Sequence, residues 1–129
     1  MNIVIITGGS RGLGASAAVQ CAKRGMGVIL TYNSDPDAAA DVVKAIEADG
    51  GKAVALPLDV SESARFAAFR DVVRETLAAS WQTDRFDALV NNAGYGLFRP
   101  MAEVDEDTFA GLYRVHLKGP FFLTRRCFH

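Results

Sequence analysis

A cluster of glycines follows directly after an aliphatic run at the start of the chain. The run is Ile3-Val4-Ile5-Ile6, and the segment after it is Thr7-Gly8-Gly9-Ser10-Arg11-Gly12-Leu13-Gly14. An alanine-rich segment with helical spacing comes next. Because glycine has no Cβ, this cluster allows the backbone to leave a strand and enter a helix within a few residues. The sequence therefore predicts a strand, a tight turn and a helix in that order.

The same layout is typical of a pyrophosphate site for a dinucleotide. We expect Gly8 to permit the turn, Gly12 to let the backbone approach a phosphate and Gly14 to let the helix lie close to its strand. Free N–H groups at the helix N-terminus would face the anion. No Gly-Lys-Ser/Thr follows, which argues against a P-loop. A tight turn without a ligand would use similar residues, so the glycines alone leave that alternative open.

The rest of the chain alternates apolar strands with helical patterns. Strands are predicted at 2–6, 27–32, 53–58 and 87–91, and the first helix at 13–24. The second helix would begin with Ser34 as a cap and Pro36 in its first turn, and the third with Ser61 as a cap. Continuously apolar strands are typical of a parallel sheet covered on both faces, and right-handed crossovers give the order 3-2-1-4. We predict an α/β fold, namely a partial Rossmann-type doubly wound parallel sheet of four strands with helices on both faces.

Composition narrows the function classes. The chain is 50% hydrophobic and 22% charged with a net charge of −1, which does not favour a nucleic-acid surface. Cys21, Cys127, His116 and His129 lack the spacing of metal ligands. The apolar runs are shorter than the roughly 18 residues of a membrane span, and no signal peptide is visible. The sequence therefore predicts a cytoplasmic protein with no metal site, no nucleic-acid partner and no membrane association.

Two further motifs follow strands three and four. Asp59-Val60 lies after an apolar strand, and Asn91-Asn92-Ala93-Gly94 ends the fourth. Together with Thr-Gly-x-x-x-Gly-x-Gly at 7–14, these motifs resemble those of the short-chain dehydrogenase/reductase family. The resemblance covers essentially the whole chain, and the segment 115–124 is similar to the family's long helix at the active site. It implies an NAD(P)(H)-dependent oxidoreductase that interconverts a small-molecule carbonyl and an alcohol by hydride transfer, and that is a homo-oligomer when complete.

The resemblance also implies which residues bind the cofactor. Asp59 would bind the adenine amino group and Val60 would contact the ring through its backbone, while Asn91, Ala93 and Gly94 would line the path towards the nicotinamide. The expected set is completed by the loop and the end of strand two: Thr7, Gly8, Ser10, Arg11, Gly12, Leu13, Gly14, Tyr32, Asn33 and Ser34. Two structural alternatives remain open, in which Asp59 caps the following helix and Asn91-Asn92 satisfies a strand end.

The end of strand two indicates which cofactor is preferred. An NAD site usually has an acidic residue there, which would repel a 2′-phosphate. This chain has Thr31-Tyr32-Asn33-Ser34, and Arg11 of the glycine loop is placed to reach the same phosphate. The sequence therefore favours NADP(H) over NAD(H). Asp35 keeps NAD(H) open, and Arg11 as a solvated loop side chain is the structural alternative.

The family's main catalytic residues are not found in these 129 residues. By resemblance they are a Ser and a Tyr-x-x-x-Lys that would lie beyond His129, and each Tyr here lacks a Lys four positions on. The last helical pattern runs to His129 without a closing Gly or Pro, which predicts a Rossmann domain over 1–129 that is truncated within its last helix. We expect this chain alone to be inactive. The alternative class is a non-catalytic nucleotide-binding or structural fragment.

His116 occupies the position of the family's active-site Asn. Pro120 has no N–H, so it cannot bond the carbonyl of His116, and a kink is expected there. If the family's Asn presents its backbone carbonyl to a water, His116 can keep that role as a catalytic residue. A packed helical His without such a role is the alternative. We also expect Phe109, Leu112, Phe121, Phe122 and Leu123 to lack part of their covering layer.

Overall fold

Four parallel strands form one sheet in the computed structural model, which describes residues 1–128. They are β1 (Ile3–Ile6), β2 (Gly27–Tyr32), β3 (Ala53–Pro57) and β4 (Ala88–Val90), in the order β3-β2-β1-β4. In the register, Ile5 is opposite Ile29 on one side and Leu89 on the other. The predicted parallel order 3-2-1-4 is confirmed.

Five helices accompany the sheet. They are α1 (Gly12–Lys23), α2 (Pro36–Ala48), α3 (Phe66–Trp81), α4 (Glu106–Tyr113) and α5 (Gly119–Phe128). Short 3₁₀ turns precede α3 at Ser63–Arg65 and α4 at Met101–Glu103, and a π-helical segment, Arg114–Lys118, joins α4 to α5. Residue 129, where the predicted truncation falls, lies outside the described residues.

Alternate residues of β1 point to opposite sides of the sheet and divide the core into two layers. Val4 and Ile6 pack with residues of α1 and α2, among them Ala18 and Ile46. Ile3 and Ile5 pack with residues of α3 and α5: Phe66, Phe69, Val73, Leu77 and Leu123. Helices therefore cover both faces, as the doubly wound prediction requires.

Two predicted helix caps are wrong. The cap of α2 is Asp35 rather than Ser34, because the Asp35 carboxylate accepts a hydrogen bond from the N–H of Ala38 at 3.0 Å. Ser61 caps no helix, since its hydroxyl donates to Asp59 and a 3₁₀ turn precedes α3. The Asp59 carboxylate thus orders the chain before that turn instead of capping α3.

Strand β4 lies at the edge of the sheet, and apolar side chains are exposed beside it. Leu117 and Phe121 are 62% and 63% exposed, and both line a depression with Asn91, Pro120 and Phe128. Phe109 is also exposed, as predicted. The prediction is wrong for Leu123, which is fully buried because it joins the core layer beneath α3.

Within residues 1–128, the structure contains no helix that combines the length and apolar character needed to cross a membrane. The same residues include no cluster of three or more His, Cys, Asp or Glu side chains arranged to hold a metal ion.

Candidate functional site

A cleft of about 570 Å³ opens at the carboxyl ends of the strands, where ligands of open α/β sheets bind. Each strand contributes the residues that follow it. The lining consists of Gly8, Ser10, Arg11 and Leu13 after β1, Asn33, Ser34 and Asp35 after β2, Leu58, Asp59, Val60 and Ser61 after β3, Asn92, Ala93, Gly94 and Tyr95 after β4, and the helical residues Gly111, Arg114 and Val115. The predicted motifs therefore meet at one edge of the sheet.

The turn between β1 and α1 requires its glycines for two different reasons. Gly8 and Gly12 have φ values of +65° and +58°, in the left-handed region that favours glycine. A Cβ added to Gly8 would also lie 2.8 Å from the Cα of Ala93, whereas one on Gly12 would meet no atom within 4 Å. Gly14 is buried, and a Cβ there would overlap the carbonyl oxygen of Gly8. The roles expected for Gly8 and Gly14 thus match their surroundings, and Gly12 faces open space.

Two buried threonines hold this turn in place. The Oγ1 of Thr7 accepts hydrogen bonds from the N–H groups of Asn92 and Ala93, both at 3.0 Å. The Oγ1 of Thr31 accepts from the N–H of Gly8 at 3.2 Å. Thr7 and Thr31 are each 1% exposed. Thr7, predicted as a cofactor residue, therefore shapes the cleft through the backbone after β4 rather than by lining it.

The N-terminus of α1 differs from those of α2 and α4. Asp35 and Asp105 cap α2 and α4 by accepting hydrogen bonds from backbone N–H groups, and bonding to Thr108 lowers the pKa of Asp105. At α1, the residue in the cap position is Arg11, and no side chain of residues 1–128 caps that helix end. Because the first N–H groups of a helix have no partner within it, α1 presents unsatisfied donors beside the cleft.

Asp59 and Val60 form the wall beyond β3. One carboxylate oxygen of Asp59 accepts from the N–H and the hydroxyl of Ser61, at 2.9 and 2.7 Å. Val60 is 6% exposed. Its carbonyl lies against Gly119, where an added Cβ would overlap it. Both predicted residues lie in the cleft, and a local turn fixes the orientation of Asp59.

Not every predicted residue lies in the cleft lining. Tyr32 packs on the α1 and α2 side of the sheet. The side chain of Asn91 donates to the Oγ1 of Thr124 at 3.0 Å and faces the depression beside β4. Asn92, which sequence reasoning passed over, donates from its side chain to the carbonyls of Thr7 and Gly8, both at 3.1 Å. Arg114 was also missed as a lining residue, because only the folded chain brings its segment to the cleft.

His116 lies in the π-helical segment, so the predicted break in α-helical geometry is present. The N–H of Gly119 donates to the carbonyl of Arg114, five residues back, and Pro120 leaves the His116 carbonyl without an α-helical donor. The imidazole Nε2 lies 2.5 Å from the carbonyl oxygen of Tyr95. His116 therefore contacts the segment after β4, next to the cleft.

These features define a Rossmann-type α/β protein with a dinucleotide-type turn at the point where the strand order reverses. The chain matches the family model described as short chain dehydrogenase over residues 2–129, and it belongs to that family.

Named relatives and solved structures agree with this family. Elsinochrome reductase 1 of Elsinoe fawcettii is 34% identical over 127 residues, which cover 98% of this chain and 45% of the relative. Versicolorin reductase 1 of Dothistroma septosporum is 32% identical over 98% of this chain and 46% of its own length. The structure of landomycin C-6 ketoreductase with bound NADP and rabelomycin is similar with a TM-score of 0.93 and 30% identity, over 98% of this chain and 51% of that one. The chain thus spans about half the length of these relatives.

Proposed function

We propose that this chain forms the NADP(H)-binding part of an oxidoreductase that interconverts a carbonyl and an alcohol. The observation that carries the proposal is the uncapped N-terminus of α1, which opens beside a cleft bordered by Arg11, Asn33 and Ser34. A helix end with free N–H donors attracts an anion, and a guanidinium suits a second phosphate. The names of the two relatives above support reduction as the direction of the reaction.

Each wall of the cleft has a part in this proposal. The N–H groups at Gly12, Leu13 and Gly14 would bind the pyrophosphate, and Arg11 with Asn33 and Ser34 would bind the ribose 2′-phosphate. Asp59 would accept a hydrogen bond from the adenine amino group, with Val60 against the ring. When bound, the cofactor supplies the hydride. The residues present in this chain bind and orient it.

The surroundings of Asp35 support NADP(H) over NAD(H). Asp35 is the only acidic residue of those that follow β2 and line the cleft among the described residues. Its Oδ1 already accepts from the N–H of Ala38 as the cap of α2. The cap orients this carboxylate towards the first turn of α2, whereas the side chains of Arg11, Asn33 and Ser34 offer donors to a phosphate.

Calorimetry with NADPH and NADH tests the proposal. Arg11→Ala should weaken NADPH much more than NADH, because a charge-assisted contact to phosphate is worth about 1.5–3 kcal/mol, or roughly 10- to 150-fold in Kd. Arg24→Ala is the matched control, since Arg24 is an exposed arginine at the opposite end of α1. Equal losses of affinity for NADPH and NADH in Arg11→Ala would show that Arg11 does not bind the 2′-phosphate.

A further inference from the structure

Residues 92–95 line the cleft and belong to a segment, 91–100, that contains no helix or strand. Its first part is fixed by Thr7, which accepts hydrogen bonds from Asn92 and Ala93. Beyond Ala93, Gly94 and Tyr95 continue the wall. Something else must hold these two residues in place, because an irregular exposed segment has few backbone bonds of its own.

The imidazole of His116 makes the contacts that hold them. Its Nε2 lies 2.5 Å from the carbonyl oxygen of Tyr95 and 3.3 Å from the Tyr95 nitrogen. The ring lies against Gly94, where an added Cβ would come within 2.5 Å of the ring Cε1. The rings of His116 and Tyr95 are tilted by 51° with centroids 5.9 Å apart.

The two Nε2 contacts are chemically exclusive, so they distinguish between the two tautomers of the neutral ring. A carbonyl oxygen can only accept, so a hydrogen bond at the nearer contact requires a proton on Nε2. A protonated Nε2 has no lone pair for the N–H of Tyr95. The shorter contact therefore favours the neutral tautomer with its proton on Nε2 and Nδ1 as the acceptor.

From these contacts we infer that the side chain of His116 is a positioning residue for the cleft, acting through a hydrogen bond from Nε2–H to the Tyr95 carbonyl. It joins the segment after β4 to the π-helical segment, whose residues Arg114 and Val115 also line the cleft. The Tyr95 hydroxyl reaches α4, since a Cβ on Gly111 would lie 2.8 Å from it. This role belongs to the imidazole and is separate from any role of the His116 backbone carbonyl. The inference rests on the proposed function only where it predicts an effect on NADPH binding.

The tautomer is tested first, without any ligand. Long-range proton–nitrogen NMR correlations of the imidazoles in the 129-residue chain, assigned by their loss in His116→Gln, should show Nε2 protonated in the neutral ring. A proton on Nδ1 instead would overturn the inference. This result does not depend on whether the chain binds NADPH, so failure of the proposed function and failure of this inference are distinguishable.

Variants then test the positioning role by calorimetry with NADPH. His116→Phe keeps a ring without the N–H donor and should weaken binding about three- to tenfold, the loss of one hydrogen bond. His116→Gln places an amide N–H near the position of Nε2 and should bind within about twofold of the parent chain. Equal affinity in His116→Phe and the parent chain would overturn the inference, as would an equal loss in both variants.

A pair of glycines provides a second, independent test. Gly94→Ala should displace the imidazole and weaken NADPH about as much as His116→Phe, and Gly96→Ala is its control, because a Cβ there meets nothing within 4 Å. Neither glycine has a positive φ, so alanine strains neither backbone. An equal loss of NADPH affinity in Gly94→Ala and Gly96→Ala would show that any change in this segment weakens binding. That result would contradict the role of His116.

Discussion

Asn92 and Thr7 are joined by two hydrogen bonds, and Asn92 is the donor in both. Its backbone N–H reaches the Thr7 hydroxyl at 3.0 Å, and its carboxamide reaches the Thr7 carbonyl at 3.1 Å. The end of β4 is thereby fixed to the end of β1, its neighbour in the sheet. This link holds the glycine turn against the segment after β4, and both line the cleft.

Thr7→Val should lower the free energy of unfolding by about 1–3 kcal/mol, because valine has the same shape but leaves the part-buried N–H of Ala93 without an acceptor and the N–H of Asn92 with only the Val90 carbonyl. Urea unfolding measures this loss. Thr76→Val is the control, since the Thr76 hydroxyl only donates to the carbonyl of Val72 within α3. A loss in Thr7→Val no greater than in Thr76→Val would show that the hydroxyl is not needed at this link.

Gly12→Ala should lose NADPH binding, whereas Gly25→Ala should keep it. Both glycines have positive φ and open space around the missing Cβ, so both substitutions carry a similar backbone strain of about 1–2 kcal/mol. Gly12 begins α1 beside the cleft, while Gly25 follows the other end of α1. Thermal melts check that the strain is equal, and calorimetry checks the binding. Retained affinity in Gly12→Ala would contradict a phosphate at this turn.

The apolar depression beside β4 should make the chain self-associate, because an unpaired strand edge and exposed apolar side chains both favour contact between copies. Analytical ultracentrifugation should detect species larger than the monomer, and Phe121→Asp should reduce them. Val72→Asp is the control, since Val72 is exposed on α3 and lies outside the depression. A parent chain that is a monodisperse monomer and unfolds cooperatively would contradict this prediction.

Residues 1–129 alone should not turn over any carbonyl or alcohol, even where they bind NADPH. The family's acid needs a Tyr with a Lys four positions on, and each Tyr of this sequence lacks that Lys. NADPH oxidation with a panel of ketones and aldehydes measures this, with a full-length short-chain dehydrogenase as the positive control. Turnover comparable to that control would contradict our account of where the catalytic residues lie.

The sheet could be predicted from sequence because alternating apolar strands and helices leave few topologies open. The orientation of the Asn91 and Asn92 side chains could not be predicted from sequence. Successive residues at a strand end point to opposite sides, so the side chain that reaches the glycine turn depends on where β4 pairs with β1. The cap of α2 was missed for a related reason, since Ser34 and Asp35 are neighbours and both suit a cap.

The π-helical segment shows a different limit of sequence reasoning. Pro120 explains why the carbonyl of His116 lacks an α-helical donor, and that much could be predicted. The close packing of Gly119 on the Val60 carbonyl could not, because those residues are far apart in sequence. The structure has the bulge at Arg114–Lys118, where the sequence indicates only a kink near Pro120.

The bulge between α4 and α5 absorbs one residue more than a continuous α-helix would hold. A π-bulge is equivalent to one residue inserted into an α-helix, and one residue corresponds to a rotation of about 100°. Deleting one residue within Arg114–Lys118 would therefore restore α-helical bonding and leave Leu123 in the core, whereas the same deletion between Gly119 and Leu123 would turn Leu123 out of it. Across related sequences, a one-residue change in length should be tolerated better in this stretch than in the regular part of α5.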